Sequence, residues 1–251
     1  MMKKLVMIRH GESEWNKQNL FTGWSDVDLS ENGRKEAREA GQLLNKEGFD
    51  FDVCYTSFLK RSIHTAYLIL EEMDREWIDV VHDWHLNERH YGALQGLDKA
   101  KTAAAYGEEQ VRIWRRSYEV APPALKEDDP RAPQHSVQYR NVAVSELPLA
   151  ESLKDTVARV VPFYETFIRR DIEEGKRVLI VAHGNSLRAL VKYLDEMDEA
   201  SIVAYDIPTG VPLVYTLSDD LRRVESRREL GDAAAIAARK AAVRKQGSAL
   251  R

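Results

Sequence analysis

The chain has 251 residues, 43% hydrophobic and 31% charged, with a formal net charge of -4. That composition fits a globular α/β protein and excludes a fibrous or disordered chain; the charge leaves no general footprint for nucleic acid, so an anion site has to be a local cluster of basic residues. The one cysteine, Cys54, excludes an intrachain disulfide and lies in the apolar stretch 51–55, where a buried, inert thiol is expected.

In chain order, residues 4–9 read as a buried strand. Ser30 is a candidate N-cap for a helix whose apolar face is Ala37, Ala40, Leu43 and Leu44, stopped by Gly48. Residues 52–56 form a second strand, and Ser57 is expected to cap a helix running to about residue 73. Residues 78–81 make a third strand. Residues 99–118 look helical with a break at Gly107. The stretch 120–150 holds Pro122, Pro123, Pro130, Pro133 and Pro148, which excludes regular helix or central strand, so it reads as a long surface excursion. Ser152, with Asp155 three residues on, opens a long helix with the stripe Val157, Val160, Val161, Tyr164, Phe167, Ile168 and Ile172. Residues 178–182 are a buried strand, 186–194 a helix, and 211–217 the strand expected to close the sheet. The expected architecture is α/β, a three-layer α/β/α with a mostly parallel sheet covered by helices on both faces. It fills residues 1–230. Residues 231–251 follow as an Ala-rich helix and mobile tail, basic through Arg239, Lys240, Arg244 and Lys245.

Two segments echo each other. The first strand runs into Arg9-His10-Gly11-Glu12-Ser13, and the strand at 178–182 runs into His183-Gly184-Asn185-Ser186. In open α/β sheets ligands bind beyond the carboxyl ends of strands, where both histidines would sit. Glycine after each histidine permits a sharp turn and close approach of a ligand. One such dipeptide is ordinarily a satisfied histidine at a strand end. Two in matching contexts, with Arg9 beside the first and Arg61 at the start of a helix, point to one shared site. Neutral imidazole is a nucleophile near neutral pH, and a transferring phosphoryl group needs cations and fixed donors around it.

The segment Leu5-Val6-Met7-Ile8-Arg9-His10-Gly11-Glu12-Ser13-Glu14-Trp15-Asn16 resembles the signature of the histidine phosphatase superfamily. Further blocks narrow the resemblance to the 2,3-bisphosphoglycerate-dependent phosphoglycerate mutases: Phe21-Thr22-Gly23-Trp24, Lys60-Arg61, Asn87-Glu88-Arg89-His90-Tyr91-Gly92, Trp114-Arg115-Arg116, Glu151-Ser152-Leu153-Lys154-Asp155 and Ile207-Pro208-Thr209-Gly210. It spans nearly the whole chain. The resemblance implies His10 as the phosphorylated nucleophile, with Arg9, Arg61, His183, Asn16 and the Gly184 backbone around its phosphate. Glu88 is then the general acid/base. Tyr91, Lys99, Arg115 and Arg116 hold the substrate's carboxylate and far phosphate, and Ser13, Thr22, Gly23 and Asn185 complete the contacts. Lys99, Arg115 and Arg116 suit a substrate with two anionic groups, since Arg grips either group bidentately.

The implied function is interconversion of 3- and 2-phosphoglycerate in glycolysis and gluconeogenesis, primed by 2,3-bisphosphoglycerate. A histidine-type phosphatase, a bisphosphoglycerate synthase and a non-catalytic scaffold are the alternatives; intact His10 and Glu88 weigh against the last, and the substrate-gripping set against a simple phosphatase. No metal is expected: His82, His85 and His90 cluster with Glu88 but match no ligand pattern, and they read as structural. Asp98, Lys101 and His64 depart from the family's usual Asn, Glu and Arg, and Asp98 sets a negative charge beside Lys99. The expected partners are small phosphoglycerates and further copies of the chain, in a homodimer or a dimer of dimers meeting through residues 52–73 and 77–81, with no nucleic acid and no membrane. With no apolar run near the roughly 20 residues of a membrane helix and no cleavage pattern after Met1-Met2-Lys3-Lys4, a reducing cytoplasm is the expected location. The C-terminal tail is expected to act as a lid that keeps water from the phosphohistidine.

Overall fold

A computed structural model describes residues 2–221 and 223–245. Among them, one six-stranded sheet has the order β3-β2-β4-β1-β5-β6. The strands are β1 (Lys3–Arg9), β2 (Val53–Thr56), β3 (Asp79–His82), β4 (Val178–Ala182), β5 (Pro212–Leu217) and β6 (Arg228–Glu229). The pairs β1–β4, β4–β2 and β2–β3 are parallel, while β5 and β6 add antiparallel. Every residue of β4 is buried, because this strand is covered on both faces. Alternation along β1 splits the core in two. Leu5 and Met7 join one cluster with helices α6 (Leu153–Phe163) and α8 (Gly184–Leu194), while Val6 and Ile8 join the other with α2 (Glu31–Lys46) and α3 (Lys60–Glu72). The three-layer arrangement read from the sequence is the one observed.

The remaining helices are α1 (Glu14–Lys17), α4 (Lys99–Tyr106), α5 (Glu108–Arg116), α7 (Arg169–Glu173), α9 (Glu199–Ala204) and α10 (Ala233–Lys245). Gly107, at φ 87°, makes the expected break between α4 and α5. Ser30 and Ser152 cap α2 and α6 as read, the latter with Asp155 in a capping box.

Several expectations are corrected. The strand β5 does not close the sheet; the two-residue β6 does. Helix α3 starts at Lys60 with Leu59 in the cap position, because the Ser57 hydroxyl is engaged by Ser62 and His183 as well as by the Leu59 amide. Helix α8 starts two residues early, at Gly184. The long helix after Ser152 is not continuous: a π-turn, Tyr164–Ile168, separates α6 from α7. Its wider turn slips the apolar phase, so Phe163 is buried while Phe167, assigned to the stripe, is 52% exposed.

The excursion at 120–150 holds three short 3₁₀ turns, Pro133–His135, Val137–Tyr139 and Val144–Glu146. It is packed down rather than loose: Tyr139 and Leu147 bury against Trp24 and Trp84. Helix α10 is anchored by buried Ile236, by Arg239 on the Thr209 carbonyl and by Lys240 on Glu229. The side chain of Lys245 and residues 246–251, which complete the expected tail, lie outside the described residues. No helix among the described residues is long and apolar enough to cross a membrane.

Candidate active site

The strands β1 and β4 are parallel neighbours with Arg9 paired to Ala182. His10 and His183, each one residue further on, therefore emerge side by side, and the His10 amide donates to the Ala182 carbonyl at 3.0 Å. Their ring centroids are 4.9 Å apart and both side chains are buried. The two glycines that follow do different work. A Cβ on Gly11 would lie 2.2 Å from the Gly33 carbonyl oxygen, so this glycine lets α2 press against the strand end. A Cβ on Gly184 would stand 3.5 Å from the Arg9 guanidinium and 3.6 Å from Glu88 Oε2, at ordinary contact distance on the cleft side. Packing against α2 accounts for Gly11, and of the two glycines only Gly184 lines the cleft.

His10 Nδ1 lies 2.6 Å from the Gly11 carbonyl oxygen. A carbonyl only accepts, so Nδ1 carries the proton and Nε2 presents its lone pair, which receives a 3.3 Å hydrogen bond from Arg61 Nε. Burial, and then the charges of Arg61 and Arg9, hold the His10 pKa well below the ordinary imidazole value. His183 is depressed in the same way, first by burial and then by Arg61 and His10, and its Nε2 lies 2.8 Å from Ser57 Oγ. Arg61 is fixed by its other nitrogens on the carbonyls of Ser25 and Gly23. Arg9 donates to the Ile207 carbonyl.

These groups open on one cleft. Of the predicted residues, Arg9, His10, Asn16, Thr22, Gly23, Arg61, Glu88, Tyr91, Lys99, Arg115, Arg116, Gly184 and Asn185 all line it. His183 packs behind His10. Ser13 is fully buried and caps α1, where it shares hydrogen bonds with Asn16. Glu88 Oε1 accepts from the amides of Arg89 and Asn185 at 2.8 and 3.0 Å. Burial, then Arg115 and Arg9, bring Lys99 down to about 7. Asp98, flagged for its charge beside Lys99, caps α4 by accepting from the Lys101 amide.

Sequence reading missed Arg188 and Asp206. Arg188 lies four residues beyond Gly184, one turn along the same helix face, and that spacing was a usable signal. It donates to Asn185 Oδ1 and the Ile202 carbonyl. Asp206 had no local signal. Its buried carboxylate joins Arg116 at 2.8 Å to Arg244 of α10 at 3.0 Å. The cleft thus gathers six basic side chains against two carboxylates. Arg9 Nε and Thr22 Oγ1 are buried there without a partner among the described residues, donors suited to phosphate oxygens.

The three histidines near Glu88 do not converge. His82 packs against Tyr67, His85 stacks on Phe163 and bonds Asp83, and buried His90 accepts from the Gly92 amide. No group of three or more metal-ligand side chains is gathered among the described residues.

Residues 5–228 match the histidine phosphatase superfamily (branch 1). Two relatives called 2,3-bisphosphoglycerate-dependent phosphoglycerate mutase cover 97% of the chain and 98% of their own lengths: one from Treponema denticola, 61% identical, and one from Lachnoclostridium phytofermentans, 60% identical. The chain belongs to the histidine phosphatase superfamily, and within it to the 2,3-bisphosphoglycerate-dependent phosphoglycerate mutase family. Among solved structures, one described as mycobacterial hydrolase 1 is similar at TM-score 0.68 and 26% identity, covering 91% of this chain and 97% of that one. A mycobacterial glucosyl-3-phosphoglycerate phosphatase shares the fold at TM-score 0.67 and 24% identity, covering 90% and 97%.

Proposed function

We infer that the chain interconverts 3-phosphoglycerate and 2-phosphoglycerate through a phosphohistidine at His10. The observation that carries this reading is the basic wall of the cleft. Lys99, Arg115 and Arg116 share one space with His10, and no carboxylate is hydrogen-bonded to Lys99 or Arg115 among the described residues. Cleavage of a phosphate alone needs Arg9, Arg61 and the histidines. A second cationic grip suits a substrate with another anionic group that must stay bound through the reaction. The names of the relatives at about 60% identity support the same choice.

His10 Nε2 takes a phosphoryl group by forming an N–P bond as the ester P–O bond breaks, and Glu88 supplies the proton to the departing oxygen. In the reverse sense Glu88 removes the proton of a substrate hydroxyl as that oxygen takes the phosphoryl group from His10. Arg9, Arg61 and His183 surround the transferring group, and the donors on Asn16, Thr22, Gly23, Tyr91, Gly184 and Asn185 orient the substrate. Ser13 acts through Asn16. The excess of cations and the orphan donors fit 2,3-bisphosphoglycerate, which when bound supplies the phosphoryl group that first charges His10.

The test is a coupled mutase assay with and without 2,3-bisphosphoglycerate, joined to intact-mass measurement. The expected result is isomerisation that depends on priming, and one added phosphoryl group that is lost in His10→Ala. Hydrolysis without isomerisation would instead identify a phosphatase. We also propose pairing of two copies through the uncovered edge at β3, where Trp77 is 76% exposed beside exposed Val81 and Tyr67. A cytoplasmic location fits a chain whose single thiol is free and buried.

A further inference from the structure

We propose that Arg159, reaching in from α6, is a positioning residue that sets Glu88 for proton transfer. The inference rests on Glu88 being the proton-transfer group. Glu88 lies on a run of backbone, residues 85–90, that belongs to no strand and to no helix longer than three residues. Such a segment has no ladder to hold it, so something else has to fix it.

The Arg159 guanidinium does so. It is buried, 8% exposed, against Glu151 at 4%. Its Nε and one terminal nitrogen grip both oxygens of Glu151 at 2.6 and 2.9 Å. The same terminal nitrogen reaches the carbonyls of Asn87 and Glu88 at 3.1 and 3.0 Å, and the other takes the His85 carbonyl. Glu151 extends the grip: its Oε2 accepts from the His90 amide, and its own amide donates to the His90 carbonyl. The Trp24 indole also donates to the Glu88 carbonyl. One buried ion pair therefore holds the segment on both sides of Glu88. The Glu88 side chain is in turn pinned through Oε1 by the Arg89 and Asn185 amides, with Oε2 toward Gly184 and Arg9. A shift of the backbone at residue 88 would break that alignment.

Stability alone does not account for such a pair. A buried Arg–Glu pair is often no more stabilising than apolar side chains of similar volume, because both charges must leave water. Every hydrogen bond of this pair beyond its own ionic contact goes to the segment carrying Glu88. Proton transfer is sensitive to displacements that leave binding almost untouched.

The experiment uses leaving groups. Phosphorylation of His10 by an aryl phosphate forms the N–P bond and breaks the aryl P–O bond. Phenoxide needs a proton from Glu88 as it leaves, whereas 4-nitrophenoxide departs as a stabilised anion. Arg159→Lys keeps the charge beside Glu151 but loses the fork that spans the carboxylate and the two carbonyls. Single-turnover phosphorylation of the full chain, read by intact mass, should slow at least about tenfold more with phenyl phosphate than with 4-nitrophenyl phosphate. Glu88→Gln should show the same signature. Should Arg159→Lys fail to fold, the paired Glu151→Leu and Arg159→Met substitutions, which bury no charge, give the same reading. Equal slowing with both donors, or no slowing, overturns the proposal, as does a Glu88→Gln variant without the signature. If the variants show the signature while the wild-type chain does not isomerise phosphoglycerate, the mutase reading falls and Arg159 keeps its role.

Discussion

His10 can act as a nucleophile near neutral pH because it is buried, flanked by cations, and fixed in one tautomer by the Gly11 carbonyl. Its pKa is depressed, so acid should not silence it near 6.5: phosphorylation of His10 is expected to stay level as pH falls from 7.5 to about 6. A loss of phosphorylation centred on the ordinary imidazole value would show that His10 is solvated. Lys99 supplies the opposite dependence. With a pKa near 7 in the free protein, it is charged below that value and loses its proton above it. Anion binding above pH 7 must therefore take up a proton, and KM for 3-phosphoglycerate should rise with pH by up to about tenfold per unit. The substrate's own phosphate also titrates, so the comparison is with Lys99→Arg, which keeps its charge; its profile should be flatter above pH 7. Parallel profiles would remove Lys99 from the grip. Glu88→Gln should lower kcat by roughly 100- to 10,000-fold with a smaller effect on KM.

At the scale of elements, the echo of the two His-Gly segments was legible because strand-end position is written in the chain and parallel neighbours bring their ends together. What the glycines are for was only half legible. Gly184 faces the cleft, but Gly11 faces Gly33 of a helix some twenty residues on, and no local pattern encodes that contact. A Cβ at Gly33 would stand 2.0 Å from the Glu12 carbonyl oxygen, so Gly33→Ala should cost roughly 1–3 kcal/mol by overpacking and loosen the turn behind His10. Thermal melting checks the first effect and the His10 phosphorylation rate the second. The slip at the π-turn was illegible because a single 3.6-residue phase was carried through it. The C-terminal helix read as weakly anchored, yet Val243 lines the cleft and Arg244 shares Asp206 with Arg116. Truncation after Leu230 should lower mutase turnover while hydrolysis of 2,3-bisphosphoglycerate persists or rises relative to it, with His10 still phosphorylated. An unchanged ratio would reduce α10 to packing.

For the molecule as a whole, the sequence carries a formal charge of -4 and hides the feature that matters most for binding. Arg9, Arg61, Lys99, Arg115, Arg116 and Arg188 come from five separate elements, β1, α3, α4, α5 and α8, and only the fold places them around one cleft. Composition averages them away; the resemblance recovered five, and Arg188 was missed although its spacing from Gly184 was there to be read. Burial is the first cause of the lowered pKa of Arg9, Arg61, Lys99, Arg115 and Arg188, so keeping these charges out of water costs the folded state, and a bound anion offsets that cost. A ligand that binds only the folded chain stabilises it by mass action, by about 2.7 kcal/mol at a hundredfold excess over Kd. At about 2–4 °C per kcal/mol for a chain of this size, 2,3-bisphosphoglycerate should raise Tm by about 5–10 °C. The measurement belongs on His10→Ala, which keeps every cation and stops turnover, so that the shift reports binding and not phosphorylation. Because the attraction is ionic, the shift should shrink when salt is raised from about 0.1 M to 1 M, as the screening length falls from about 10 Å to 3 Å. EDTA should leave the shift unchanged, since the cations that hold the ligand are side chains. A rise that stays the same between about 0.1 M and 1 M salt, or one that EDTA removes, would mean that the positive field of the cleft is not what holds the phosphates.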